Sequence, residues 1–177
     1  MSQNLRKLVF AAIIGAVYAA LTMVLAPISY GPIQFRISEA LCILPFFFPF
    51  SAWGLFVGCL LANLISAYGP ADVIFGSLAT LLAALGTMLL GLAGRDRRSM
   101  QILACLPPVI SNGIIVGAVL AWSLTPDALL SGFLTFGGQV AFGELVVLYL
   151  LGLPLLLLLH RSGLARRLMA RYHLETA

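Results

Sequence analysis

Apolar residues run along this chain in blocks too long for a soluble helix, and polar residues gather where the blocks end. A helix needs about 20 apolar residues to cross a bilayer. The first block predicts a helix over 5–26, stopped by Pro27 and the Ser29-Tyr30-Gly31-Pro32 turn. Between Glu39 and Asp72 stand 32 uncharged residues, too many for one span and few for two. Pro45, Pro49 and Ser51 divide them into a short helix over 38–48 and a second over 52–67. The short one cannot cross an unthinned bilayer, so it packs inside a bundle or tilts with a broken end. Further blocks predict helices over 72–94, over 101–123 with Pro107-Pro108 kinking its first turns, and over 134–160, the last starting between Leu130 and Gly138. The expected fold is all-α: a polytopic membrane protein, one six-helix domain over 1–177 with a basic tail over 161–177.

Composition agrees. Charged residues make up 9% of the chain and hydrophobic ones 62%, where a soluble domain carries about 25% charged residues. Mean hydropathy is +1.08. Cys42, Cys59 and Cys105 all lie inside apolar runs and read as small buried hydrophobes, with no disulfide framework or metal spacing. The net charge of +4 is a topology signal rather than a nucleic-acid surface, because nine of the ten basic residues fall in three clusters at helix ends. Arg6 and Lys7 precede the first helix. Arg95, Arg97 and Arg98 follow the fourth, and Arg161, Arg166, Arg167 and Arg171 follow the sixth. With six spans all three share one face, which the positive-inside rule makes cytoplasmic, with both termini there in the plasma membrane. Five or seven spans would split them. The basic start resembles a signal peptide, yet the apolar run reaches Ile28 without an A-x-A site, so a retained helix is expected. The stretch after Ser162, to Thr176, reads equally as a basic amphipathic helix on the membrane or as a solvated tail.

The chemistry gathers on the opposite face. Within Ile33-Gln34-Phe35-Arg36-Ile37-Ser38-Glu39-Ala40-Leu41, Arg36 and Glu39 stand three apart at the start of a helix, where the carboxylate can reach back to the arginine. Arg36 is the only basic residue between Lys7 and Arg95. The pair either anchors a helix end or lines the mouth of a ligand cavity. Glu144 has no cation within fifteen residues on either side; it must be protonated, paired across helices or facing a wet cavity. Asn63, Asp72, Asn112 and Gln139 add polar groups in the outer half or midplane, and Asp72, Gly76 and Thr80 make one face of a helix small and polar. Singly, the amides could merely join helices. Together with two carboxylates and an arginine they predict a pocket open outward and closed inward, since a channel would need polar groups through both halves. In the first helix Ala12, Ala16 and Ala20 recur every four residues beside Ala11, Gly15 and Ala19; this pattern suits either packing within the bundle or docking of another membrane subunit.

Absences narrow the options. Lys7, the sole lysine, is followed by Leu8, so there is no phosphate loop and no P-loop ATP hydrolysis. No H-E-x-x-H occurs, and His160 and His173 lie away from the carboxylates. Neither a cofactor nor catalysis is expected.

The runs Gln34-Phe35-Arg36-Ile37-Ser38-Glu39-Ala40-Leu41, Leu44-Pro45-Phe46-Phe47, Gly58-Cys59-Leu60-Leu61-Ala62-Asn63 and Asp72-Val73-Ile74-Phe75-Gly76-Ser77-Leu78-Ala79-Thr80 resemble the QueT family. These are substrate-binding (S) components of energy-coupling factor (ECF) vitamin transporters. The resemblance covers the first four helices and Gly143-Glu144. It implies a six-helix, S-component-like protein that captures queuine or a related 7-deazaguanine from outside. It also implies partners: a transmembrane coupling subunit, docked on the small face of the first helix, and two ATPase subunits. A 7-deazaguanine presents two adjacent donors, acceptors elsewhere and, in its aminomethyl form, a cation. The residues suited to it are Gln34, Arg36, Glu39, Asn63, Asp72, Asn112, Gln139 and Glu144, with Phe35, Phe75, Tyr68 or Trp53 to stack. Competing readings are a stand-alone proton-coupled transporter acting through Glu144, an S component for another vitamin, and a structural protein whose polar groups only hold helices together.

Overall fold

The computed structural model describes residues 2–31, 33–172 and 174. The expected turn at Pro32, the placement of His173 and the tail's end at Thr176 fall outside the described residues. The described residues form helices joined by turns and short links, without strands. Helix α1 is Gln3–Val24 and a single turn, α2, follows over Ala26–Ser29. A 3-10 helix, Ile37–Phe46, leads through a short link to α3, Ser51–Asn63. A π turn, Asp72–Gly76, opens α4, Ser77–Gly94. Helices α5, Arg98–Leu103, and α6, Leu106–Leu124, are separated by a break at Ala104-Cys105. Helix α7, Leu129–Val147, continues through a π turn, Leu148–Gly152, into α8, Leu153–Arg161, and α9 is Leu164–Arg171. Among the described residues, four helical stretches are long and apolar enough to cross a membrane: Gln3–Val24, Asp72–Gly94, Arg98–Leu124 and Pro126–Arg161.

Several boundaries differ from the sequence reading, each for a local reason. The pair Pro107-Pro108 does not kink a helix but starts one, because proline lacks the N–H that the first turn leaves unused. Helix α3 stops at Asn63, four residues early, where the Asn63 side chain turns to the backbone of Asp72. Helix α7 begins at Leu129, before the expected range. The π turn at 148–152 sits just before Pro154, whose ring and missing donor would interrupt an α-helical ladder. The short second helix is 3-10 throughout, ten residues long, although such runs rarely exceed four.

That 3-10 helix is the centre of the bundle. It packs against α1, α3, α4, α7, α8 and the second π turn, and Ser38, Glu39, Ala40, Cys42, Ile43 and Phe46 along it are buried. With a rise of about 2.0 Å per residue it spans roughly 20 Å, so it is an internal strut, as its length suggested. Its neighbours approach closely because glycines strip the seams of side chains. A Cβ on Gly15 would strike the Gly54 carbonyl, one on Gly58 the Gly15 carbonyl, and one on Gly91 the Phe46 carbonyl. Helices α6 and α7 meet in the same way at Gly117 and Gly137. Large apolar side chains point outward all round the bundle, from Leu8 and Ile13 to Leu150 and Leu158, as lipid would require.

The two small-residue stripes of α1 separate. Ala11, Gly15 and Ala19 are buried, and Ala11 and Gly15 meet α3 backbone to backbone; Ala12, Ala16 and Ala20 are exposed. At the basic end Phe46, Phe47 and Phe48 pack with Leu156 and Ala165, and the rings of Phe10, Phe50 and Tyr172 join them. Arg95 Nη1 donates to the Leu174 carbonyl at 3.1 Å, and His160 lies 3.8 Å from Asp96. The chain start, the 95–98 link and the tail thus share one end of the bundle. Within the tail, Ala165, Leu168 and Met169 of α9 dock on the aromatic core.

Gly54→Ala should cost about 1–3 kcal/mol through overpacking of the α1–α3 seam. Gly138→Ala in α7, whose added methyl meets open space, should be neutral or stabilising by up to about 1 kcal/mol. Thermal unfolding of the two variants in detergent checks the contrast.

Candidate functional site

At the end opposite the basic clusters, the residues singled out in the sequence come together under two loops. Tyr30 donates to the Ala62 carbonyl at 2.6 Å, and Tyr68 donates to the Tyr30 carbonyl at 3.2 Å, tying the 27–36 segment to the 64–71 segment. Beneath them Gln34, Arg36, Glu39, Asn63, Asp72, Asn112 and Glu144 are all buried. They stand buried rather than lining an open cup.

Glu39 is enclosed by donors from three elements. The Tyr18 hydroxyl of α1 donates to Oε1, Thr80 of α4 donates to the same oxygen at 3.4 Å, and the Cys42 thiol donates to Oε2 at 3.0 Å. Residues three apart eclipse in a 3-10 helix, which is why Cys42 stands beside Glu39. Next to it Thr22 and Ser38 hydroxyls share a 2.6 Å hydrogen bond. Both oxygens of Glu39 are thus occupied within the protein.

Arg36 does not pair with Glu39. It precedes the first helical turn in extended conformation, φ −86° and ψ 90°, so the three-residue spacing places no helical face between them. Its guanidinium instead sits 5.4 Å from the Tyr30 ring centroid, and Nη1 points to Cys59 Sγ at 3.7 Å. Cys59 is a hub rather than a plain hydrophobe: Asn63 Nδ2 at 3.4 Å and Thr80 at 3.2 Å also donate to its sulfur. Asn63 Nδ2 also donates to the Asp72 backbone carbonyl at 3.2 Å, and Ser66 donates to Asp72 Oδ2 at 2.5 Å. Gly76 keeps this corner open, since a Cβ there would press on Asn63 and Asp72 side chains.

On the far wall Asn112 of α6 donates to Glu144 Oε1 at 2.8 Å. Glu144 is thus joined across helices through one oxygen, to an amide and not to a cation. It lies within electrostatic reach of Glu39 and Arg36. The 33–34 backbone touches α7 at the adjacent Gly143, where a Cβ would collide with it. Gln34 is held there in the left-handed region at φ 52°, a conformation uncommon for a residue other than glycine and frequent at functional clamps.

Six of these side chains carry a buried atom without a hydrogen-bond partner among the described residues. They are Gln34 Nε2, Arg36 Nη2, Asn63 Oδ1, Asp72 Oδ1, Gln139 Oε1 and Glu144 Oε2. Donors and acceptors are both present, and each such atom is costly in the absence of a partner. Sequence reasoning missed Tyr18, Tyr30 and the role of Cys59. The hydroxyl of Tyr18 within an otherwise apolar helix was the available signal. Two suggested stacking residues are placed elsewhere: Trp53 is 63% exposed and Phe75 45% exposed, on the outer surface. Phe35 packs edge-on against Phe142, and Tyr68 closes the loop contact.

The family model described as QueT transporter matches residues 8–161. The chain is similar to a protein named Queuosine precursor transporter QueT from Lactococcus lactis subsp. cremoris (strain MG1363), 44% identical over 81 residues, which are 44% of this chain and 47% of that relative. The chain thus spans about half the length of the curated relative it matches. No solved structure matches it.

Removing the Tyr18 hydroxyl leaves the buried carboxyl of Glu39 short of a donor. Tyr18→Phe should destabilise by about 1–3 kcal/mol. Tyr149→Phe, which loses a hydroxyl bonded to Ile102 at the exposed surface, should stay within about 0.5 kcal/mol. Unfolding midpoints of the two variants test this.

Proposed function

The chain belongs to the QueT transporter family, and on that premise we propose that it is the substrate-binding component of an energy-coupling factor importer for a queuosine precursor. In this reading residues 1–177 form a single multi-pass domain of the plasma membrane. Six crossings bring both termini and the basic end to the cytoplasm, and the polar cluster faces outward. The 3-10 helix and α3 are short for crossings, and they serve because the bundle around them, not lipid, satisfies their ends.

The observation that carries the proposal is the set of unpartnered buried atoms. Their inventory matches a 7-deazaguanine such as queuine or its aminomethyl precursor. The acceptors Glu144 Oε2, Asp72 Oδ1, Asn63 Oδ1 and Gln139 Oε1 suit the N1–H, the exocyclic amine and a cationic arm. The donors Gln34 Nε2 and Arg36 Nη2 suit the carbonyl and ring acceptors. Asn112 orients Glu144 through Oε1 and leaves Oε2 for the ligand. Glu39, with both oxygens occupied, is a positioning residue that locks α1 and α4 to the strut. Tyr30, already against Arg36, is the aromatic best placed to stack.

Transport would then depend on partners. The exposed stripe Ala12, Ala16 and Ala20 is free to receive a transmembrane coupling subunit, since its buried neighbour Ala11-Gly15 already serves α3. ATP hydrolysis would lie in two ATPase subunits of the complex.

Isothermal titration of the purified protein with queuine and its aminomethyl precursor, against riboflavin and biotin, is the direct test. Deazaguanine binding should weaken about tenfold to a hundredfold in Glu144→Gln, the worth of a hydrogen bond to a charged group, and stay unchanged in Trp53→Ala. Binding of riboflavin or biotin alone would overturn the substrate. Uncoupler-sensitive uptake without ATPase partners would overturn the importer assignment in favour of a proton-coupled transporter.

A further inference from the structure

A second built site lies at the basic end, apart from the polar cluster. A cavity of about 380 Å³ opens between α4, α8 and α9. Its floor is apolar, with Phe47, Leu92 and Met169, and its rim carries Arg95, Asp96, His160 and Arg166. The His160 ring stacks on Phe47 at 6.3 Å and faces Asp96 at 3.8 Å, so the one carboxylate of the rim is turned to the histidine. Among the described residues neither arginine makes a salt bridge with an acid. Arg95 Nη1 is held by the Leu174 carbonyl at 3.1 Å, and its backbone carbonyl by Gln101 Nε2 at 2.8 Å. Its Nε is buried without a partner among the described residues. A guanidinium fixed in this way presents a donor edge to an anion, and the planar fork suits a phosphate.

The surroundings say which kind of phosphate. On α4 the exposed residues Leu78, Leu82, Leu89 and Leu92 recur at helical spacing along one face, an apolar track that ends at the cavity through Leu92. A free anion has no use for that track. A lipid would lay its acyl chain along it and bring its headgroup to the rim. We propose that this cavity binds the phosphate headgroup of an anionic phospholipid, held by Arg95 and Arg166 with its chain along the leucine face of α4. Basic pockets between helices at the membrane surface are suited to such headgroups. The site also explains why α9 is folded back on the bundle: its apolar side docks on the core while Arg166 completes the rim. A bound lipid would then bridge α4 and the tail. The assignment is independent of what the polar cluster binds.

The test is thermal unfolding of the full chain in neutral detergent, titrated with phosphatidylglycerol, with phosphatidylcholine or with inorganic phosphate. Phosphatidylglycerol should raise the midpoint saturably, and phosphatidylcholine should not. Arg166→Ala, an exposed position that folding tolerates, should raise the half-saturating concentration about fivefold, the worth of one basic residue near an anionic surface. Arg95→Ala should act in the same direction, and Arg167→Ala, exposed and off the cavity, should leave it unchanged. Equal stabilisation by inorganic phosphate would overturn the lipid in favour of a free anion. An unaltered phosphatidylglycerol response in Arg166→Ala, or an equal loss in Arg167→Ala, would overturn the site.

Discussion

A buried carboxyl group governs the architecture. Glu39 stands in the central strut with no exposure to solvent, and a carboxyl there is tolerable only with its oxygens satisfied. Tyr18 comes from α1, Thr80 from α4 and Cys42 from the strut itself. The requirement therefore fixes the rotation of two helices against a third element, and it favours the 3-10 winding that brings Cys42 over Glu39. Arg36, Cys59 and Asn63 extend the same network to Asp72, so the loops and the strut are one connected unit.

Lipid cannot drive helices together by the hydrophobic effect, and here glycine seams do that work through close packing. Gly15, Gly54 and Gly58 join α1 to α3, Gly91 seats α4 on the strut, and Gly117 with Gly137 joins α6 to α7. The seams hold the frame while the polar network sets its register. This division leaves one end of the bundle built on an aromatic and aliphatic core of Phe46, Phe47, Phe48 and Leu156, and the other rich in buried polar groups.

Much of this is legible in the sequence because lipid makes polar residues expensive, so each one advertises a purpose. All four of Asn63, Asp72, Asn112 and Glu144 are found buried, with Asn63 bonded to Asp72 and Asn112 to Glu144. What could not be read depends on rotation and on backbone detail. Ala11-Gly15-Ala19 and Ala12-Ala16-Ala20 are adjacent stripes of equal quality, and only the facing glycines of α3 decide which is inside. Arg36 does stand just before the first turn and Glu39 within it, as the spacing suggested, yet the guanidinium turns to Tyr30 and Cys59 rather than back to the carboxylate. Tyr18 sits in an apolar helix where a lone tyrosine reads as an amphipathic filler, although its hydroxyl donates to the buried carboxyl of Glu39.

The same physics separates the two kinds of polar residue at the site. Thr22, Ser38, Glu39 and Thr80 are mutually satisfied, so their contribution is shape. Gln34, Arg36, Asn63, Asp72, Gln139 and Glu144 each keep an atom unpartnered, which at about 1–3 kcal/mol apiece is a heavy burden for a marginally stable fold. Consistency between sequence and fold is broken at functional sites more than elsewhere. Here the unpartnered donors lie on the 34–36 segment and the acceptors on α3, the first π turn and α7. A ligand carrying both donors and acceptors would relieve that cost in one step. Gln34, at φ 52°, adds a backbone conformation uncommon outside glycine to the same segment.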